Sequence, residues 1–158
     1  MGLMQSEAIT VRKIKGKGRG VFARRLIADG EIIERVPVIV VPAEQIRDAH
    51  GQDDLLRYVY EWGQGTVALA LGYGSLYNHS YEPNARYEDL DGRTKLFVAL
   101  REIGAGEEIT INYNGEPDDR SPVWFDVVDR SYSDRSRRAG PRRGENPTSP
   151  SIGTVVQI

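Results

Sequence analysis

Short segments in which apolar and polar residues alternate recur along most of the chain, and glycine-containing turns separate them. Alternation with a period of two is typical of β-strands that bury one face. Pro37 interrupts one segment and divides it into two short strands, and Asp91-Gly92 between two others favours a hairpin. The pattern therefore predicts a mainly β fold of many short strands. The segments are AITVRKI (8–14), EIIERVPVIVV (31–41), ARYEDL (85–90), TKLFVAL (94–100) and EEITINY (107–113).

One stretch departs from this alternation and has helical spacing instead. Between Pro42 and Trp62, apolar side chains recur three and four residues apart, which is the period of an amphipathic helix. We therefore predict a short helical insert over about residues 43–62. The residues that carry the spacing are Leu55, Leu56, Val59 and Tyr60.

The composition changes after Asp129. Residues 130–158 are rich in Arg, Ser, Gly and Pro and have almost no apolar residues before the terminal TVVQI. Such a segment buries too little apolar surface to offset the entropy lost on ordering. We predict one folded domain over residues 1–129, followed by a disordered tail over 130–158.

The folded part is acidic and the tail is basic. Residues 1–129 hold 15 Lys and Arg against 21 Asp and Glu, a net charge of −6, whereas residues 130–158 hold six Arg against two acids, a net charge of +4. An acidic surface favours a basic protein or peptide partner over nucleic acid. Only the short basic tail could contact nucleic acid, and weakly.

Cysteine usage and hydropathy indicate a compartment. The 158 residues include no Cys, which excludes disulfides and Cys-based zinc sites, and no metal site is predicted. No apolar run approaches the roughly 20 residues that a membrane-spanning helix needs, and the start, MGLMQSEAIT, lacks the apolar core of a signal peptide. We expect a cytoplasmic protein with no membrane association.

Three segments carry residues suited to binding or catalysis, and the third of them overlaps the alternating segment at 107–113. They are GKGRGVFA (16–23), NHSYEPNA (78–85) and GEEITINY (106–113). The second lies in GYGSLYNHSYEPNARY (72–87), which crowds two Asn, one His and four Tyr into sixteen residues. Each motif alone is weak evidence for any function. The three together, in this order and spacing and with a Tyr ending the third, are specific to one protein family. Over about residues 8–125 the chain resembles the SET domain, the fold of one class of protein-lysine methyltransferases.

The resemblance implies a fold and an activity. It implies small β-sheets and a C-terminal pseudoknot, in which the Asn-His segment threads through a loop closed by the third motif. Buried backbone must find hydrogen-bond partners, and a segment dense in Asn, His, Ser and Tyr supplies them. The implied reaction is transfer of a methyl group from S-adenosyl-L-methionine to the ε-amine of a lysine in a protein substrate.

The first two motifs supply the expected cofactor site. Gly residues admit positive φ and close approach of a ligand to the backbone, and cationic side chains can meet a carboxylate. By resemblance, the Gly-x-Gly segment holds the methionine end of the cofactor, Asn78 binds the same amino-acid end, and the backbone of His79 contacts adenine. The His79 side chain is expected to be mainly structural. The residues of the first motif are Lys17, Gly18, Arg19 and Gly20.

Tyr113, which ends the third motif, is the expected catalytic residue. The lysine amine must be neutral to attack, and a narrow apolar channel beside a sulfonium charge disfavours its protonated form. By resemblance, the Tyr113 hydroxyl and nearby backbone carbonyls orient the amine, and most of the rate comes from that alignment.

The chain departs from the family in its lid and its lysine channel. It has no Cys-rich flanking clusters, so SPVWFD at 121–126 is expected to act as an aromatic lid. Trp124 and Phe125 either contact adenine and wall the channel or pack on the core. Many family members carry a Tyr in the strand before the insert, and residues 34–42 hold none. Candidates for its place are Tyr58, Tyr60, Tyr73, Tyr77 and Tyr87.

The predicted channel residues are Ile111, Tyr87, Tyr77 and Phe125. In this family the residue two before the catalytic Tyr helps set the number of methyl groups added. Ile111 stands there and has no hydroxyl to hold a water in the space of a second methyl. The resemblance therefore implies addition of more than one methyl group.

Two other functions stay open on the sequence alone. One is a catalytically inactive SET-like module that binds a lysine-containing partner, and the other is a nucleic-acid protein working through the Arg-rich tail. The substrate protein is not specified by the sequence. The minimal build is similar to stand-alone viral and bacterial SET proteins, which can pair, so a homodimer is possible.

Overall fold

A computed structural model describes residues 6–46, 54–123, 125 and 127 of the chain. Nine strands and three 3₁₀ helices occur in those residues. The 3₁₀ helices are Ala43–Gln45, Asp54–Tyr58 and Gly74–Leu76. The strands are β1 (Ile9–Ile14), β2 (Gly18–Ala23), β3 (Ile32–Pro42), β4 (Val59–Glu61), β5 (Thr66–Ala70), β6 (Asn78–His79), β7 (Ala85–Leu90), β8 (Thr94–Ala99) and β9 (Glu108–Ile111).

The strands form two sheets. One has four strands in the order β1-β2-β9-β6, and the other has five in the order β4-β5-β3-β8-β7. Almost all neighbours are antiparallel, whereas β6 runs parallel to β9, with Asn78 opposite Thr110 and His79 opposite Ile111. This parallel pairing brings the second sequence motif alongside the third. The mainly β fold predicted from the sequence is confirmed.

The predicted hairpin forms as its turn sequence indicates. β7 and β8 pair antiparallel from Ala85 opposite Ala99 to Leu90 opposite Thr94. Gly92 and Arg93 close the turn with φ of 78° and 57°, in the left-handed region that a tight hairpin turn requires.

Pro37 does not divide its segment into two strands, contrary to the sequence prediction. β3 runs unbroken through it, and the strand changes partner there instead: the part up to Pro37 pairs with β8, and the part from Val38 pairs with β5. Because Pro has no N–H, it fits at the point where one ladder ends and the next begins. Its carbonyl still accepts a hydrogen bond from the Leu71 N–H at 3.1 Å.

The prediction of a helical insert over 43–62 is only partly right. The described part of the insert holds two short 3₁₀ helices and strand β4, while residues 47–53 lie outside the described residues. Leu56 and Val59 are buried three residues apart, as a 3₁₀ turn allows, and Leu55 is 45% exposed. Tyr60 belongs to β4 and is buried in the main core. The apparent helical period thus arose from a 3₁₀ turn followed directly by a strand.

The main core lies between the two sheets and collects their inward-facing side chains. Its members include Val21, Ile33, Phe97, Ile109 and Ile111, all at most 2% exposed. A second, smaller core is formed by Leu56 and Val59 of the insert and Val67 of β5. None of the helices in the described residues has the length and apolar character required to span a bilayer.

Candidate active site

A cavity of about 370 Å³ opens where the turn between β1 and β2, the insert, β6 and the segment after β9 meet. It brings residues of all three sequence motifs to one place. Its walls are formed by Gly16, Lys17, Arg19, Arg57, Tyr58, Ser75, Leu76, Tyr77, Asn78, His79, Tyr113, Phe125 and Val127. In the part of the chain that the structure describes, no group of His, Asp and Glu is arranged to hold a metal ion.

The amide of Asn78 is oriented by two protein acceptors. Its Nδ2 donates to the carbonyl oxygen of Arg19 at 3.0 Å and to Oε1 of Glu108 at 2.7 Å. Because both partners only accept, the nitrogen must face them, and Oδ1 is the amide atom left for a ligand. Asn78 therefore offers the cavity an acceptor suited to a ligand N–H or ammonium group.

The two glycines of the first motif have different reasons to be glycine. Gly18 has φ of 83°, the left-handed conformation that the sequence predicted for this segment. Gly20 is buried, and a Cβ there would lie 2.6 Å from Cδ1 of Ile14, 2.7 Å from Nδ2 of Asn78 and 3.0 Å from Oε1 of Glu108. Gly20 thus makes room for the oriented Asn78 amide, which is a packing role rather than a direct one toward a ligand.

Three of the residues that line the cavity carry a positive charge. Lys17, Arg19 and Arg57 all contribute to its walls. The Lys17 ammonium lies 3.5 Å from Oε2 of Glu108, and both side chains are about one-fifth exposed. Glu108 therefore holds both the Asn78 amide and the Lys17 ammonium in place. The three positive side chains are suited to a ligand carboxylate.

The His79 side chain is part of the framework of the site. It is 5% exposed, and its Nδ1 accepts the N–H of Tyr113 at 3.1 Å. An accepting Nδ1 carries no proton, so the ring is the neutral tautomer protonated at Nε2. Its centroid lies 4.5 Å from that of Tyr81 and 5.2 Å from that of Tyr113. The His79 ring thus links β6 to the residues that follow β9.

The Tyr113 hydroxyl lies at the cavity and points to a backbone carbonyl. It donates to the carbonyl oxygen of Tyr77 at 2.8 Å. Burial, together with the negative charge of Glu108, raises the pKa of Tyr113 well above the ordinary phenol range. The group is therefore a neutral hydroxyl at physiological pH, suited to orienting a substrate rather than to acting as a phenolate base.

Two of the four predicted channel residues line the cavity, and the other two do not. Phe125 lines the cavity, and Tyr77 reaches it while its own hydroxyl donates to Oε2 of Glu34 at 3.0 Å, away from Tyr113. Tyr87 packs against Tyr60, with ring centroids 5.0 Å apart, and is not among the residues that line the cavity. Ile111 is fully buried in the main core and also does not line it.

Tyr58 is the aromatic candidate from the insert that reaches the cavity. It is 38% exposed and forms part of the wall beside Arg57. Trp124, predicted as a cofactor contact, lies outside the described residues. The sequence reading named neither Arg57 nor Glu108 as a site residue. Glu108 lies inside the third motif, and that position could have marked it as a site residue. No feature of the sequence marked Arg57.

Comparisons with known proteins point to one family. A family model described as SET domain matches residues 18–114. The chain is 37% identical over 121 residues to the histone-lysine N-methyltransferase, H3 lysine-37 specific, of Schizosaccharomyces pombe, covering 75% of this chain and 77% of that protein. It is 31% identical over 127 residues to human histone-lysine N-methyltransferase 2B, covering 73% of this chain but 5% of that protein.

A solved structure agrees with these sequence relationships. The crystal structure of a candidate histone methyltransferase from Plasmodium falciparum superimposes with a TM-score of 0.58 at 35% sequence identity. The match covers 70% of this chain and 95% of that one.

Proposed function

The chain belongs to the SET-domain family and is a protein-lysine methyltransferase, and from this premise we propose that it transfers the methyl group of S-adenosylmethionine to a lysine of a basic, histone-like protein. The observation that carries the proposal is the Tyr113 hydroxyl, held at 2.8 Å by the Tyr77 carbonyl at the edge of a cavity that also contains the oriented amide of Asn78.

The donor set of the cavity fits the cofactor. The amino-acid end of S-adenosylmethionine carries an ammonium and a carboxylate, and the wall offers the Oδ1 of Asn78 to the first and Lys17, Arg19 and Arg57 to the second. The aromatic ring of Phe125 is suited to the apolar part of the ligand. When bound, the cofactor supplies an electrophilic methyl group on a positively charged sulfur.

The surroundings of the cavity favour a neutral lysine amine. A free Lys has a pKa of about 10.4, so deprotonation at pH 7.5 costs roughly 4 kcal/mol. An enclosed site disfavours the charged form of the amine, and so does a positively charged sulfur beside it. Tyr113 and the Tyr77 carbonyl then act by alignment: the hydroxyl and the carbonyl oxygen fix the direction from which the amine approaches.

We also propose that the Asn-His segment threads a pseudoknot. Ser80 donates its N–H to the carbonyl of Ile111 at 2.9 Å on one side of the segment. On the other side, the Tyr81 hydroxyl donates to the Ser121 carbonyl and accepts the N–H of Val123, both at 3.0 Å. These contacts support a thread held between β9 and the residues beyond it.

The charge of the chain and the names of its relatives support a basic, histone-like protein as the substrate. The net charge of −6 over residues 1–129 favours a basic partner, and two relatives are named as histone-lysine methyltransferases. No observation favours an inactive binding module or a nucleic-acid protein as a second function. The cytoplasmic location, the homodimer and the division into a domain and a tail after Asp129 stay predictions from the sequence.

The proposal is tested by incubating the protein with isotopically labelled S-adenosylmethionine and recombinant histones, followed by mass spectrometry of lysines. We expect label on a small set of lysines in a basic protein. Tyr113→Phe, which removes one oxygen atom, should bind the cofactor normally and lose about 10²-fold in transfer rate, because alignment is lost. A parental protein that binds cofactor but labels no lysine in histones or in a whole proteome would refute the proposal.

A further inference from the structure

Glu34 on β3 is a carboxylate buried beneath one wall of the cavity. It is 2% exposed, and the register between β3 and β8 shifts between Ile32 and Glu34. A bulge of this kind re-aims the side chains that follow it, so Ile33 and Glu34, although consecutive, are both buried. An interior carboxylate is costly unless hydrogen bonds satisfy it, and its partners therefore indicate what it does.

The carboxylate holds both ends of the third 3₁₀ helix, Gly74–Leu76. Oε1 accepts the N–H of Tyr73, just before the helix, at 2.9 Å. Oε2 accepts the hydroxyl of Tyr77, just after it, at 3.0 Å. Ser75, Leu76 and Tyr77 form part of the cavity wall, so one buried group fixes the segment that shapes that wall.

The space for this carboxylate is built into the chain. Gly72 has φ of 63°, and a Cβ there would lie 2.6 Å from Oε1 of Glu34. The Tyr77 ring stacks on Phe97 with centroids 4.4 Å apart, which leaves it little freedom to move. Tyr77 is thus held by its hydroxyl and by its ring, while its carbonyl accepts the hydroxyl of Tyr113.

We propose that Glu34 is a positioning residue that acts through Tyr77 to keep the Tyr77 carbonyl and the Tyr113 hydroxyl in the alignment that methyl transfer requires. The inference rests on the proposed function, in which these two oxygens orient the lysine amine. Glu34 itself is not among the residues that line the cavity, so in this proposal it contacts neither the amine nor the cofactor. It sets the distance and direction of the pair that does, and a small misplacement there reduces the rate without removing a reacting group.

The test uses two variants that weaken the same hydrogen bond from opposite ends, since Glu34→Gln leaves one acceptor oxygen for the two donors, Tyr73 N–H and Tyr77 O–H. Glu34→Gln keeps the size of the side chain and removes the charge, and Tyr77→Phe removes only the hydroxyl. Tyr73→Phe is the matched control, because it makes the same change on the same segment and its hydroxyl makes no hydrogen bond to any residue that the structure describes. Each variant is scored by its melting temperature and by calorimetric titration with S-adenosylhomocysteine, which gives the active fraction.

The kinetic result expected is a fall in kcat with little change in KM. Corrected for active fraction, Glu34→Gln and Tyr77→Phe should each lose about tenfold in kcat, with the KM for the cofactor within about twofold of the parent. The double variant should lose no more kcat than either single variant, because both substitutions act on the one interaction between Glu34 and Tyr77. Losses that multiply, or rates within about twofold of Tyr73→Phe, would overturn the positioning role.

A second readout does not depend on turnover. The ring resonances of Tyr113, assigned by their absence from Tyr113→Phe, should shift in Glu34→Gln and Tyr77→Phe but not in Tyr73→Phe. Unshifted resonances in both variants would overturn the inference even in an active enzyme. Shifted resonances in a protein that methylates no lysine would preserve the coupling of Glu34 to Tyr113 and refute the proposed function instead.

Discussion

The backbone N–H of Tyr113 donates a hydrogen bond to Nδ1 of His79 at 3.1 Å. This contact joins β6, which carries the second sequence motif, to the chain just beyond β9. Since the His79 ring is 5% exposed and contacts the rings of Tyr81 and Tyr113, the imidazole supports the position of the tyrosine that we propose to be catalytic.

His79→Ala should therefore destabilise the fold. It leaves a buried N–H without an acceptor, which costs about 1–3 kcal/mol, and it removes the ring contacts. His79→Asn restores an acceptor oxygen close to the place of Nδ1 and should recover part of that loss. Chemical denaturation of the two variants is the measurement. Equal losses of stability in both would show that the ring contacts, not the hydrogen bond to Tyr113, make the contribution.

Asn78→Ala should weaken cofactor binding in a protein that still folds. The substitution removes the Oδ1 acceptor and leaves Glu108 without one of its donors, so we expect a loss of roughly 1–3 kcal/mol in binding free energy by calorimetry. Asn114→Ala is the matched control, because Asn114 contacts the Ser121 carbonyl and is not among the residues that line the cavity. Unchanged affinity in Asn78→Ala, or an equal loss in the control, would remove Asn78 from the binding site.

Glu34 should make the stability of the protein depend on pH. Burial raises the pKa of this carboxyl above its ordinary value, so the folded state prefers the protonated form. Its contribution to stability is full below the unfolded pKa of about 4.3 and is lost as the pH rises through the raised folded pKa. Relative to Glu34→Gln, which does not titrate, the parent should be more stable near pH 4 than near pH 8.

The measurement is urea denaturation of both proteins across that range. Other carboxyl groups titrate in both and cancel in the difference between them. A difference in the free energy of unfolding that does not change with pH would mean that Glu34 titrates as an exposed carboxyl does, which its burial at 2% exposure does not allow.

The sequence predicted well what local patterns determine. The hairpin around Gly92 formed because turn chemistry is local, and the alternating segments formed strands because half-buried strands impose a period of two. It predicted poorly where a pattern had two explanations. The spacing of Leu56 and Val59 is compatible both with a helix and with a 3₁₀ turn that leads into a strand. Pro37 is compatible both with the end of a strand and with a change of pairing partner within one strand.

The candidate site was predictable as a set of motifs but not as a set of side-chain directions. Ile111 was expected in the channel beside Tyr113 because of the resemblance to a family in which the residue two before the catalytic Tyr helps set the product. However, β9 ends at Ile111 and Tyr113 lies in the turn beyond it, so the two residues do not share the face of one strand, and Ile111 points into the core. The inference that Ile111 sets the number of methyl groups loses its geometric basis, whereas Tyr58 reaches the cavity. Glu34 is aimed inward by a bulge, which no sequence period indicates.

The last prediction concerns Lys95, whose side chain is fully buried on β8. Its ammonium lies 3.9 Å from the ring centroid of Tyr60, 4.2 Å from that of Tyr87 and 5.6 Å from that of Trp62, and it pairs with Asp89. Burial lowers the pKa of Lys95 despite these contacts. The cation–π contacts therefore compete with a desolvation cost that Lys95→Met would remove while keeping a chain of similar length.

We expect Lys95→Met to lie within about 1 kcal/mol of the parent in free energy of unfolding, since Asp89 is 45% exposed and stays hydrated when its partner is lost. Lys95→Ala should lose about 2–4 kcal/mol, because it leaves a cavity among three rings. Chemical denaturation at pH 7 and pH 10 provides a further check. The folded pKa is lowered, so the parent should gain stability relative to Lys95→Met as the pH rises toward the unfolded value of about 10.4. A Met variant as unstable as the Ala variant, with no gain for the parent at pH 10, would mean that the charge of Lys95 itself holds the rings of β4 and β7 together.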